Sequence, residues 1–194
     1  MRASTVVVGL LLASVVSCRR SQPTEMPLPT TPEAALQALG RAAQGGDAAR
    51  LWGLLDQTSR WSLMSVQRDL REICTLVRAS YPREQQAREL QRCRPAAEAK
   101  TAEELFVAYA KAQRLLRPLA RVGPPGARRG TGDSLEIESG GTRVALCREH
   151  RRVGREEHAG WAYCGLREHL DAAKLKAARD LVTVRENAES YKGR

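Results

Sequence analysis

The chain has 194 residues, 42% of them hydrophobic. That is enough apolar mass for one folded domain with an accessory segment, and it excludes a wholly disordered chain. Aromatic residues make up only 4%, with Phe106 the single phenylalanine, and the formal charge is +10, with 27 of the 32 basic residues arginine. Base or sugar stacking therefore has few side chains to draw on, and the charge reads either as an affinity for anionic partners or as a genomic preference for arginine.

Residues 1–18 carry the most specific pattern. Arg2 supplies a positive start, residues 5–16 form an apolar run, and Val15-Val16-Ser17-Cys18 ends it with small residues before a cysteine. The run has the length of a signal-peptide core and is too short to cross a bilayer comfortably. It resembles the bacterial lipoprotein signal, whose lipobox ends on an obligatory cysteine. The resemblance implies cleavage before Cys18, a diacylglyceryl thioether on its sulfur and an amide-linked fatty acid, such as palmitate, on its nitrogen. The alternative is an ordinary secretory signal with an incidental cysteine. Arg19 rather than Asp at the next position points to the outer membrane. Arg19 and Arg20 are placed to meet lipid phosphates. Residues 21–31, with three prolines, read as an extended tether. The expected organisation is a signal peptide over 1–17, the lipidated cysteine and tether over 18–31, and a single globular domain over 32–194.

Within that domain the first elements are helical. Thr31-Pro32-Glu33 is a start signal, Leu36 and Leu39 mark a buried stripe, and Gly45-Gly46 stops it. Asp47 caps a second, short helix, and Ser59 is expected to cap a third with Leu63, Val66, Leu70, Ile73 and Val77 on one face. Pro82 ends that helix, and residues 83–92 read as a polar segment. Thr101 and Glu104 have the spacing of a capping box ahead of Leu105, Phe106 and Tyr109.

The period then changes. Residues 121–132 hold four glycines and two prolines and read as loop. Leu135 and Ile137 alternate with acids, Gly140-Gly141 turns the chain, and residues 143–148 resume an extended run. A charged connection precedes a further strand over 161–166, on which Trp161 and Tyr163 share a face that reads most simply as core, with a pocket wall or a dimer interface as the alternatives. Leu170, Ala173, Ala177, Leu181, Val184 and Ala188 draw the stripe of a long closing helix. The expected class is α+β, with N-terminal helices packed on a small antiparallel sheet and a long C-terminal helix.

Residues 32–55, PEAALQALGRAAQGGDAARLWGLL, resemble the opening of nuclear transport factor 2-like domains. There an Ala- and Leu-rich helix meets a Gly-Asp break and a second helix beneath a curved sheet. The resemblance implies a cone-like domain with an internal cavity and a sheet face able to dimerise. No site motif of that family is matched, so none of its functional residues carries over.

With Cys18 assigned to lipid, Cys74, Cys93, Cys147 and Cys164 remain, an even number that in an exported chain favours disulfides. A hairpin centred on residues 154–155 sets Cys147 opposite Cys164, and a helix folding back at Pro82 joins Cys74 to Cys93. The rival reading is a zinc site built from Cys147, His150, His158, Cys164 and His169, whose first pair has a spacing that zinc sites use. The segment between His150 and His158 reads as a charged, solvated loop.

No nucleophile–base order or phosphate-cradling glycine loop stands out. His169 has acids at Glu168 and Asp171, which read more simply as complements to a helix N-terminus. Arg128-Arg129 and residues 148–155 are the basic segments. They read more simply as a solvated hairpin loop; as a binding surface in a cell envelope they would meet anionic lipid surfaces rather than nucleic acid. The expected function is a non-enzymatic, membrane-anchored envelope lipoprotein that offers a surface or cavity to an envelope protein partner. The alternative is a small-molecule-binding or hydrolytic cone-type domain in the periplasm.

Overall fold

The computed structural model describes residues 26–192. The signal-peptide and lipidation assignments, Cys18 included, lie outside the described residues. Among the described residues six helices precede four strands and a seventh helix follows them, and the class is α+β.

Helix α1 (Pro32–Gln44) starts where Thr31 Oγ1 accepts a hydrogen bond from the Ala34 N–H at 3.2 Å, with Pro32 in the first turn. Asp47 caps α2 (Ala48–Leu54) through the Arg50 N–H at 2.8 Å. The cap of α3 (Gln57–Ser80) is Asp56, not Ser59 as expected. The Asp56 carboxylate accepts from the Ser59 N–H and hydroxyl, so Ser59 sits inside the first turn. The segment expected to be merely polar is a helix, α4 (Arg83–Glu98). It lacks an apolar stripe because only Cys93 and Ala96 are buried, but Gln, Glu, Arg, Leu and Ala suit a helix locally. Thr101 caps α5 (Ala102–Ala112), and α6 (Leu116–Leu119) is a single turn.

The sheet is a four-stranded antiparallel meander in the order β1 (Arg128–Arg129), β2 (Ser134–Ser139), β3 (Thr142–Val153) and β4 (Glu156–Tyr163). Gly140 and Gly141, at φ +56° and +73°, form the two-residue turn between β2 and β3. The charged stretch expected as a loop continues both β3 and β4 into one long hairpin that turns at Gly154. Its outer half has little apolar alternation, so its pairing is carried by the backbone ladder rather than by a hydrophobic face. Helix α7 (Arg167–Lys192) closes the chain.

Two apolar clusters hold these elements. The larger joins α1, α2, α5, the first halves of α3 and α7, and the sheet through Ile137, Val144, Leu146 and Tyr163. Trp161, on the same face of β4 as Tyr163, is half-buried against it. The smaller gathers Ile73, Val77, Tyr81, Leu181 and Val184 where α3 and α7 run side by side, and Leu70 touches both.

The free edge of β4 is covered, as an edge strand requires. Leu55 bridges to Tyr163, and the Asp56 N–H donates to the Tyr163 carbonyl at 3.0 Å. Nearer the chain start, the Trp161 N–H donates to the Pro29 carbonyl at 2.8 Å, and Leu28 is buried over Gly160. Residues 28–31 therefore belong to the folded body, where a tether extending to residue 31 was expected. Leu28 finds an apolar seat and Pro29 lends its carbonyl to an otherwise unpaired strand edge.

Candidate functional site

The four cysteines of the domain form two disulfides. Cys74–Cys93 ties α3 to α4 inside the smaller cluster, and Cys147–Cys164 ties β3 to the residue just past β4. The second pair differs in register from the expected arrangement. Cys147 lies opposite Ala162, and Cys164 reaches it diagonally from the same face.

That bond bears on the five residues considered for zinc. Cys147 and Cys164 are bonded to each other, so neither is a thiolate ligand in this state. His150 lies opposite Ala159 and His158 opposite Arg151, which puts the two imidazoles on opposite faces of the hairpin. Their acidic neighbours differ as well, Glu157 at 3.6 Å from His150 and Glu156 at 3.5 Å from His158. His169 is elsewhere, on α7, with its Nε2 against the Tyr109 hydroxyl. Among the described residues no three His, Cys, Asp or Glu side chains gather in a metal-binding arrangement.

The basic segments divide into bonded and solvated residues. Arg128 pairs with Glu33 at 2.5 Å. The Glu33 carboxyl is held below its usual range, chiefly by a backbone hydrogen bond from its own N–H; desolvation opposes this, and the nearby Arg128 adds to the lowering. Arg151 is buried. Its guanidinium donates to the Gly53 carbonyl at 2.5 Å and to the Leu55 carbonyl, beside Glu149 at 3.6 Å. Glu149 in turn accepts from the Gln57 N–H at 2.8 Å. Arg151 thus brackets β3 to the α2–α3 junction, while Arg148, Arg152 and Arg155 remain exposed. A charged run in the sequence carries no signal that one of its arginines turns inward.

Between α3, α4, α5 and α7, where the two apolar clusters meet, lies a groove of about 300 Å³. Leu63, Val66 and Leu70 form one wall, and Ala173 and Ala177 of α7 form the facing one. The small side chains on α7 leave the space, and their place in the stripe was visible from the sequence without indicating a cavity. At one end Tyr109 meets His169, and burial pushes the Tyr109 hydroxyl above its ordinary range. At the other end Asp180 joins Lys176 at 2.5 Å and stands 3.8 Å from Arg92. An apolar trough with polar groups at both ends suits a small amphiphile.

No family model matches the chain, no curated protein matches it, and no solved structure matches its fold.

Proposed function

We propose that this protein is a membrane-anchored lipoprotein of the bacterial envelope, probing its surroundings as a binding module rather than as an enzyme. Acylated Cys18 fixes its location, and the folded domain presents a surface to another envelope component. The observation that carries the reading is the pairing of all four domain cysteines as disulfides. Such bonds persist in the oxidising periplasm and at the cell surface, the compartments to which the lipobox-like signal directs a chain. The outer membrane is the proposed site, since Arg19 follows the cysteine. Metabolic labelling with a palmitate analogue tests the anchor. The label enters the wild-type chain and is absent from Cys18→Ala; equal labelling of the two contradicts the reading.

A second reading, binding of a small amphiphilic molecule, is favoured by the groove between α3 and α7. Its apolar walls and polar ends are the combination such a ligand requires. Leu63→Trp fills the trough from one wall, so a ligand captured by the wild type and equally by this variant does not occupy it.

A further inference from the structure

Large apolar side chains left exposed on the domain are not scattered evenly. Among the described residues Met26, Trp61, Met64 and Val107 are four of the six, and local geometry groups the last three around one depression. Trp61 and Met64 are three residues apart on α3, so they share a helix face and stand 58% and 53% exposed. Met64 lines an open depression together with Trp52 of α2, Arg68 of α3 and Glu103 of α5. Val107 stands one turn beyond Glu103 on the same face of α5, and Lys111 one turn beyond Val107. Met26 lies against α2, its terminal methyl close to Gly53, the residue after Trp52.

Met26 is also where the described chain begins, which makes the position of this patch significant. Seven residues, 19–25, separate it from Cys18, and fully extended they reach roughly 25–30 Å. An acyl anchor at Cys18 thus lies within that reach of α2, against which Met26 rests. The chemistry of the patch suits a bilayer surface. Tryptophan and methionine supply apolar bodies that settle at the headgroup–acyl boundary, and at the rim the exposed Lys111, with Arg68 held beside Asp69 at 2.8 Å, supplies positive charge for lipid phosphates. The formal charge of +10 over the whole chain adds a general attraction to an anionic surface.

We propose that the face formed by Trp52, Trp61, Met64 and Val107 lies on the anionic bilayer surface that holds the anchor. The domain is thereby oriented, with Trp61 in the interface and the α4–α7 end directed away from the membrane. This rests on the lipid-anchor reading above, and its test is separable from the test of that reading.

The experiment uses the full chain, purified from membranes and reconstituted into vesicles of phosphatidylethanolamine with phosphatidylglycerol. Trp52→Phe and Trp161→Phe leave Trp61 as the sole indole, and Phe at 52 retains an aromatic ring against Phe106. Lipids brominated on their acyl chains quench Trp61 emission about twofold or more, and aqueous iodide reaches it less than in the vesicle-free protein. Met64→Glu, at an exposed site that leaves the core intact, restores iodide access. A chain retaining only Trp161, half-buried on β4, is the internal comparison and is not quenched by the lipid. Trp61 left unquenched by brominated lipid and open to iodide overturns the proposal. Palmitate labelling reads the anchor separately: a labelled chain with an unquenched Trp61 refutes the orientation alone, and an unlabelled chain with a quenched Trp61 refutes the anchor alone.

Discussion

The carboxylate of Asp56, fully buried where α2 passes into α3, accepts two hydrogen bonds from the guanidinium of Arg167, at 2.8 and 3.1 Å. The same carboxylate caps α3, so one side chain joins the start of α3 to the first turn of α7. Removing the cation leaves a buried charge with only the cap to satisfy it. Arg167→Ala is therefore expected to cost about 3 kcal/mol, and Asp56→Asn, which keeps the cap but loses the charge, less than that. Urea unfolding of the two variants checks the order.

Gly160 is required by the chain start that lies over it. A Cβ at this position stands 2.4 Å from the Leu28 Cβ and 2.9 Å from the Leu28 and Pro29 carbonyl oxygens. Gly160→Val should expel residues 26–30 from the β4 edge, at a cost of about 1–3 kcal/mol. Limited proteolysis then cuts before Thr31 in the variant and spares the wild type. Equal resistance in both contradicts the packing of Leu28 on β4.

Both disulfides close loops of similar size, 19 and 17 residues in separation. Each is expected to contribute roughly 3 kcal/mol through the unfolded state. The paired variant Cys74→Ala with Cys93→Ala should loosen the α3–α4–α7 end without disturbing the sheet, because that bond sits in the smaller cluster. Hydrogen exchange that quickens in α4 while β3 and β4 stay protected is the expected result.

Burial pushes the Tyr163 hydroxyl up to about 12, against ~10 for an exposed tyrosine. The folded state holds this proton more tightly than the unfolded chain does. Its contribution to stability is thus complete below pH ~10 and is lost as pH rises towards the folded value, a change of about 2–3 kcal/mol. Tyr163→Phe removes that part of the alkaline decline. Denaturation midpoints measured along an alkaline pH series separate the two proteins.

Much of this architecture follows from local chemistry. Thr31, Asp47 and Thr101 cap the helices their spacing indicates, Gly140-Gly141 makes its turn, and the stripe from Leu170 to Ala188 packs α7 on α3. Both cysteine pairings were also expected from chain geometry, although Cys164 meets Cys147 diagonally rather than directly across the ladder. What stayed hidden depends on tertiary partners. Helix α4 has no stripe, the outer hairpin alternates poorly because Arg151 points inward to backbone carbonyls, and Leu28 is buried by a strand more than a hundred residues later. For the site, Ala173 and Ala177 marked a helix face but not the groove that their small size leaves, and nothing near His169 in sequence indicated Tyr109.

The most direct measurement is the mass of the N-terminal peptide of the mature protein isolated from bacterial membranes. The account predicts a peptide that begins at Cys18 and carries a diacylglyceryl thioether with an amide-linked acyl chain. A peptide that begins elsewhere, or one in which Cys18 is unmodified, contradicts the membrane-anchored reading.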